Sequence, residues 1–233
     1  MIGEHLWRLG LDWPARLGLP PRREALLAWR RQGKVQDWPR WEALQAPALE
    51  LAPSNDPGIP LLETLDASAW WQAISQDQDW ERLAAYALAP TWAGQPRESG
   101  AAARCIRHPE VAALWQQRRR IAARLRARCL ELEVLGQGFW DTAWSDAWAP
   151  APGLGLARVE TARGPLLHLV RLEAGRVARY VIVAPTEWNF HPAGALVHDA
   201  AGLPAPTPEA ALDLARTLAL ALDPCVDAAF TLD

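Results

Sequence analysis

The spacing of apolar and polar residues divides the chain into a helical first part and a region of short strands after residue 150. In the first part, apolar residues recur at intervals of three and four, which is typical of amphipathic helices. Asp37, Asp66, Asp79 and Thr207 are predicted to cap helices, because a short polar side chain satisfies the free N–H groups of a first turn. The predicted helices cover residues 2–12, 21–31, 37–44, 67–76, 80–88, 97–106, 109–135 and 208–222.

The longest predicted helix, residues 109–135, has an apolar stripe about 120° wide, as expected for a helix that packs on a core. Arg118 falls in the middle of this stripe, so its side chain either extends to water or pairs with a buried carboxylate. The other arginines are spread over the remaining surface and predict a solvated helix face rather than a nucleic-acid site. They are Arg119, Arg120, Arg124 and Arg128.

After residue 150 the pattern changes to short stretches rich in Val and Leu, at 154–160, 166–172 and 177–184. They predict an antiparallel meander with a hairpin turn at residues 173–176. His168 shares a strand face with apolar residues and is expected to be a hydrogen-bonded core residue. Residues 185–194 are predicted to form a loop. The fold class is therefore α+β, mainly helical, with a small antiparallel β unit in the C-terminal third.

Composition limits the class of protein. The chain has 233 residues, 50% of them hydrophobic, and a net charge of −3, which argues against disorder and against a broad nucleic-acid surface. There is no apolar run long enough to span a membrane and no signal-like N-terminus, so we expect a cytoplasmic protein with neither membrane nor nucleic acid as partner. We predict one domain over residues 1–233, helical in 1–149 and with the β unit and terminal helix in 150–233.

The three cysteines, Cys105, Cys129 and Cys225, show no CxxC pair and no zinc-finger spacing. Cys129 lies on the apolar stripe and is predicted to be a buried structural thiol. Cys105 has basic neighbours that would make it reactive, and an ordinary partly buried thiol is an equal alternative. Cys225 follows Asp223 and Pro224 just past the last helix. From these residues alone, a metal ligand and an ordinary cysteine are comparable interpretations.

Three segments in order along the C-terminal third resemble the large subunit of nickel–iron hydrogenases. Residues 160–164, E-T-A-R-G, followed by His168, resemble the family's E-A-P-R-G…H segment. Residues 184–189, A-P-T-E-W-N, resemble V-P-T-T-W-N, and residues 223–225, D-P-C, resemble the start of D-P-C-x-x-C-x-x-H. The resemblance covers about 80 residues well, residues 4–14 more loosely, and implies a hydrogenase large-subunit-like fold.

The departures from the family pattern imply that the chain is not a working hydrogenase. Ala228 and Thr231 stand where the second C-terminal cysteine and the histidine are expected, and the N-terminal R-x-C-G-x-C pair is absent. The chain therefore lacks the four thiolates that hold nickel and iron. It resembles the degenerate large-subunit homologues of hydrogenase operons, which implies no nickel, no enzymatic activity and no proteolytic maturation.

The resemblance also implies a task and a set of residues. It points to a maturation scaffold that transiently holds or receives the iron unit Fe(CN)2(CO), with a cofactor-carrier chaperone of the HypC class and the hydrogenase large subunit as expected partners. By carry-over, Cys225 would bind the iron, Arg163 would donate hydrogen bonds to cyanide, and Pro185 and Thr186 would line the site. Ala162 and Glu187 depart from the family pattern here.

Two other functions remain open at this point. One is a protein–protein interaction module of hydrogenase assembly that binds no metal. The other is a mononuclear metal enzyme that uses Cys225 together with His168, His191 or His198.

Overall fold

The computed structural model describes residues 1–33, 40–75, 77–136, 144–226 and 228–231. Asp37, the predicted start of one helix, and Gln76, the predicted end of another, lie outside these residues. The helices of the first part are α1 (Ile2–Trp7), α2 (Trp13–Arg16), α3 (Arg23–Gln32), α4 (Trp41–Glu50), α5 (Ala67–Ile74), α6 (Trp80–Leu88), α7 (Ala101–Cys105), α8 (Pro109–Gln116) and α9 (Arg120–Gly136). A π-helical segment, Arg8–Asp12, joins α1 to α2.

The C-terminal part contains one four-stranded antiparallel sheet in the order β1-β2-β3-β4. Its strands are β1 (Ser145–Trp148), β2 (Leu154–Thr161), β3 (Gly164–Glu173) and β4 (Arg176–Val183), and the helices α10 (Pro185–Asn189), α11 (Ala195–Gly202) and α12 (Pro208–Leu222) follow. The α+β class, the three predicted strands with their hairpin turn, and α12 are confirmed.

The two larger apolar clusters hold most of these elements together. The first is built on α9, whose buried residues pack against α1, α4, α8 and α12. In the second, one face of the sheet packs on α5 and α6, with Trp70, Trp80 and Trp188 buried against Leu167 and Leu169. The caps of α5, α6 and α12 form as predicted: Asp66, Asp79 and Thr207 each accept a hydrogen bond from a backbone N–H of the first turn.

Several predicted boundaries were wrong. The first helical stretch continues past Pro14 to Arg16, because Pro14 lies in the first turn of α2, where a missing N–H is tolerated. Residues 145–148 form a strand inside the part predicted to be helical. The predicted loop 185–194 contains α10, and α11 was not predicted. The prediction of a single domain is untested and stays a prediction.

The predicted helix 109–135 is broken into α8 and α9 at Arg118, which adopts the left-handed conformation with φ of 59°. This conformation costs a residue with a side chain about 1–2 kcal/mol. Contacts from a distant loop offset the cost: Arg118 donates to the Asn55 carbonyl at 2.7 Å, and the Arg118 carbonyl accepts from the Ser54 N–H at 3.1 Å. Arg118 is therefore exposed, and its predicted place in an apolar stripe was wrong.

The prediction of a solvated basic surface on this helix was also wrong. Arg120, Arg124 and Arg128, called here the arginine row, are spaced four residues apart on α9 and are buried. Arg120 pairs with Asp199, and Arg124 binds Glu98 through two hydrogen bonds of 2.8 and 2.7 Å and Asp199 through one of 2.5 Å. Arg128 pairs with Asp223 at 3.0 Å. These ion pairs therefore connect α9 to the loop that carries Glu98, to α11 and to the end of α12.

None of the helices formed by the described residues is both long enough and apolar enough to cross a membrane.

Candidate functional site

Cys225 lies just beyond the end of α12 with its side chain exposed. Asp223 ends the helix in the left-handed conformation, with φ of 60°, and Pro224 prevents the helix from continuing. The hydroxyl of Thr186, in the first turn of α10, lies 3.4 Å from the Cys225 sulfur as a hydrogen-bond donor. Pro185, the first residue of α10, is buried beside it. The structure thus brings Cys225 and Thr186 into contact.

Arg163 lies at the tip of the hairpin between β2 and β3, where Thr161 pairs with Gly164 across a two-residue turn. Gly164 has a φ of 126°, and a Cβ there would lie 2.4 Å from the Ser99 hydroxyl oxygen, so the hairpin tip needs glycine at this close approach. The Arg163 carbonyl accepts hydrogen bonds from the Ser99 hydroxyl at 2.9 Å and from the Asn189 side-chain amide at 3.2 Å. The backbone of Arg163 is therefore fixed from two sides.

The Arg163 guanidinium points at the segment that carries Cys225. Its Nε donates to the Asp223 carbonyl at 2.9 Å, and one terminal nitrogen pairs with Glu4 in α1. Three of the residues singled out from the sequence, Arg163, Thr186 and Cys225, are therefore linked through the short 223–225 segment.

Asp223 is the centre of the charges at this site. Its buried carboxylate accepts from Arg8 at 2.5 Å, pairs with Arg128 at 3.0 Å and lies 3.6 Å from Arg163. Burial by itself would raise the pKa of Asp223, but the three guanidinium groups reverse this effect and hold the pKa below its usual value. Asp223 thus stays ionised and fixes the conformation of the residues that precede Cys225.

An open cleft of about 520 Å³ borders Cys225. The residues that line it include Arg8, Arg216, Leu220, Pro224 and Phe230. Cys225 therefore borders a space that admits a group larger than a single ion, with Arg8 and Arg216 among the residues of its wall.

The other two cysteines differ from Cys225. Cys129 is buried, as predicted, and burial raises its pKa to about 12. Burial and the nearby Glu131 also raise the pKa of Cys105 to about 12, and its sulfur lies 3.8 Å from the Ala127 carbonyl. The neighbouring arginines lower the pKa of Cys105 by less than burial and Glu131 raise it. The structure therefore favours the ordinary partly buried thiol over the reactive one.

The histidines considered as ligands each have another contact. His168 lies on the outer face of the sheet rather than in the core, and its Nδ1 hydrogen-bonds the Tyr180 hydroxyl. His191 accepts from the Ala193 N–H at 3.0 Å, and His198 lies 3.2 Å from the Asp56 carboxylate. In the part of the chain that the structure describes, no group of three or more His, Cys, Asp or Glu side chains is arranged to hold a metal ion. The mononuclear metal enzyme is untested and stays a hypothesis.

Sequence reasoning missed the residues that position the site: Glu4, Arg8, Ser99, Asn189 and Asp223 in its role as a charge centre. Asn189 accepts from the Ser99 N–H at 2.8 Å and so connects α10 to the hairpin tip. Asn189 and Asp223 belong to the segments that carry the family resemblance, which was an available signal. Glu4 and Arg8 lie among residues 4–14, which resemble the family more loosely. Ser99 carried no signal, because only the folded chain brings it to a residue 90 positions away.

Comparison with known proteins identifies the family. The family model for nickel-dependent hydrogenases matches residues 107–230, so the chain belongs to the nickel-dependent hydrogenase family. Among solved structures, the nickel–iron–selenium hydrogenase of Desulfovibrio vulgaris Hildenborough is 22% identical, with a TM-score of 0.44 over 59% of this chain and 36% of that one.

Within this family, the curated relatives include proteins of hydrogenase formation. The chain is 39% identical over 148 residues to the hydrogenase expression/formation protein HupK of Rhizobium leguminosarum bv. viciae, covering 61% of this chain and 40% of that protein. It is 29% identical over 287 residues to the hydrogenase expression/formation protein HoxV of Cupriavidus necator, covering 96% of this chain and 73% of that protein. The expected resemblance to degenerate homologues of the large subunit is confirmed. The match spans about 40% of the length of the HupK relatives.

The different exposure of the three thiols leads to a direct prediction. With a neutral aromatic disulfide at pH 8, we expect one thiol of the native protein to react quickly and all three to react after unfolding in guanidinium. The reason is that a pKa near 12 leaves Cys105 and Cys129 with a thiolate fraction on the order of one in ten thousand. The fast phase belongs to Cys225 if it is lost in Cys225→Ser and persists in Cys105→Ser. A fast phase that is lost in Cys105→Ser instead would contradict the structure.

Proposed function

We propose that this chain is a non-catalytic scaffold in hydrogenase formation that transiently holds or receives the Fe(CN)2(CO) unit before the unit reaches the hydrogenase large subunit. The observation that carries the proposal is the exposed thiol of Cys225, which lies 3.4 Å from the Thr186 hydroxyl. Arg163 binds the backbone of the segment that leads to this thiol, at the Asp223 carbonyl. Family membership and the names of the HupK and HoxV relatives support it.

The ligand set suits a cargo that must leave again. Soft thiolate sulfur is an appropriate ligand for this class of iron. Ala228 and Thr231, at the positions of the family's second cysteine and histidine, provide no further ligand of these kinds, so a single protein thiolate would bind the iron. Release then requires one iron–sulfur bond to break, whereas a site of four cysteines would retain the metal.

The remaining contacts would orient the diatomic ligands. In the described residues, Nε and one terminal nitrogen of Arg163 are engaged by Asp223 and Glu4, and the second terminal nitrogen has no partner. This free N–H group would donate to a cyanide nitrogen, while the Thr186 hydroxyl and the ring of Pro185 would form the opposite wall. These roles extend the family resemblance to Arg163, Pro185 and Thr186.

The cargo must come from one protein and pass to another. We therefore propose a cofactor-carrier chaperone of the HypC class as donor and the hydrogenase large subunit as acceptor. The open cleft beside Cys225 is the approach that such a donor would use.

Infrared spectroscopy tests the proposal most directly. Protein co-purified with its maturation partners should show cyanide and carbonyl stretching bands, and Cys225→Ala should lose them because the iron has no other thiolate at the site. Cys105→Ala is the matched control, since its thiol is partly buried with a raised pKa, and it should keep the bands.

Two results would contradict the proposal. Bands that persist in Cys225→Ala would remove Cys225 from iron binding. Absence of the bands from every preparation, with partner binding indifferent to Cys225, would favour the alternative of an interaction module that binds no metal.

A further inference from the structure

A small cavity lies at the junction of α9, α10, α12 and the hairpin tip. Its volume is about 10 Å³, which is close to the smallest space that holds one water molecule. The lining includes Arg124 and Arg128 of α9, Asn189 of α10 and Leu222 at the end of α12. Small residues such as Ala221 complete the wall and leave this space between the elements.

Two N–H donors on this lining have no acceptor in the described part of the protein. They are the Nη1 groups of Arg124 and Arg128, and both nitrogens are buried. The two side chains are only 4% and 5% exposed, so bulk solvent does not reach these groups. A buried donor of a charged group is destabilising when it stays unpaired, because it has given up its hydrogen bonds to water. Both groups therefore require an acceptor inside the cavity.

The end of α12 provides an acceptor on the same lining. Leu222 is the last residue of this helix, and the last four carbonyls of a helix have no partner within it. Among the described residues, the Leu222 carbonyl has one contact, the side-chain amide of Asn189 at 3.5 Å, which is at the limit for a hydrogen bond. The cavity therefore brings two unused donors and one weakly used acceptor to a single small space.

We propose that this cavity is a binding site for one ordered water molecule. The water accepts hydrogen bonds from Nη1 of Arg124 and Nη1 of Arg128 and donates one to the Leu222 carbonyl. Three hydrogen bonds are the usual number for a buried water. The water connects the arginine row to the last turn of α12, directly before Asp223, and so supports the start of the segment that carries Cys225. The inference does not depend on iron binding.

The charges and the hydrogen-bonding groups favour water over an ion. Arg124 is already paired with Glu98 and Asp199, and Arg128 is paired with Asp223. An anion in the cavity would therefore add a buried charge that these pairs do not compensate, and it could not donate to the carbonyl at the end of α12. A cation would be repelled by the two guanidinium groups. Water is neutral, and it both accepts and donates.

A crystal structure of the full chain, grown in sodium bromide at a resolution that shows ordered water, tests the site directly. We expect density for one oxygen atom within about 2.7–3.2 Å of the two Nη1 atoms and of the Leu222 carbonyl, with no anomalous signal from bromide. Absence of density from the cavity overturns the proposal. An anomalous bromide peak there also overturns it, because the site would then bind an anion.

Magnetic relaxation dispersion of the water oxygen tests the site in solution. Ala221→Ser adds a hydroxyl to the cavity wall, which should take the place of the water and remove one long-lived water from the dispersion amplitude. The midpoint of thermal unfolding should stay within about 3 °C of the wild type, because the hydroxyl replaces the contacts of the water.

Ala219→Ser is the matched control. Ala219 is also buried on α12 but lines the cleft beside Cys225 instead, so this variant should keep the wild-type amplitude. A second cavity of about the same volume borders Trp70, so the difference between the variants reports on this site, whereas the total amplitude does not. An amplitude that Ala221→Ser leaves unchanged, or that falls equally in both variants, overturns the proposal.

Discussion

Replacing Asp199 by alanine is expected to lower the free energy of unfolding by about 3–5 kcal/mol. Asp199 is buried and accepts hydrogen bonds from both Arg120 and Arg124. Its loss leaves two guanidinium groups of the arginine row in an environment that excludes water, and Glu98 is then the only carboxylate among the described residues that pairs with Arg124. An uncompensated buried charge is one of the few causes of so large an effect.

Urea denaturation followed by circular dichroism measures this change. The matched control is Asp213→Ala, which removes an ion pair between an exposed carboxylate and Arg16 and should cost less than about 1 kcal/mol. A loss below about 1 kcal/mol for Asp199→Ala as well would mean that the arginine row does not contribute to stability in the way the structure indicates.

The second large effect is expected at Asp223. Asp223→Asn keeps the shape of the side chain and the left-handed conformation that asparagine tolerates, but removes the charge that Arg8, Arg128 and Arg163 share. We expect a loss of about 3 kcal/mol at neutral pH. The reactivity of Cys225 should change with it, because the carboxylate fixes the start of the 223–225 segment.

The effect has a defined pH dependence. The folded-state pKa of Asp223 is lowered, so its contribution to stability is fully present above the pKa of an unfolded aspartate, about 4, and is lost as the pH falls through the lower folded-state value. The difference in stability between wild type and Asp223→Asn should therefore shrink on acidification below about pH 4. Asp12→Asn, which also contacts Arg8 but is more exposed, is the control and should cost less than about 1 kcal/mol. A difference between wild type and Asp223→Asn that is independent of pH would contradict the ionised state of Asp223.

The features that the sequence predicted correctly are those with local causes. The strands β2, β3 and β4 follow from short Val- and Leu-rich stretches separated by turn residues. The ends of α12 follow from Thr207 as cap and from Pro224 beyond the last turn. The candidate residues Arg163, Thr186 and Cys225 came from segments that resemble the family, and the folded chain brings all three to the 223–225 segment.

The arginine row shows where sequence reasoning failed. Charged residues on a helix usually face water, and nothing near Arg120, Arg124 or Arg128 in the sequence indicates otherwise. Their carboxylate partners lie between 26 and 95 residues away in the chain, on elements that meet only after folding. The break at Arg118 has the same origin, since its stabilising contacts come from residues 54 and 55.

By itself, the sequence determined the α+β class, the family resemblance and the small number of thiols, because these depend on residue type and local pattern. The tertiary structure decided which arginines are buried, that Asp223 is the charge centre of the site, and that Cys225 is the exposed thiol. These properties depend on which distant groups share a low-dielectric interior. Burial there changes the energy of a charge by several kcal/mol, which no local pattern encodes.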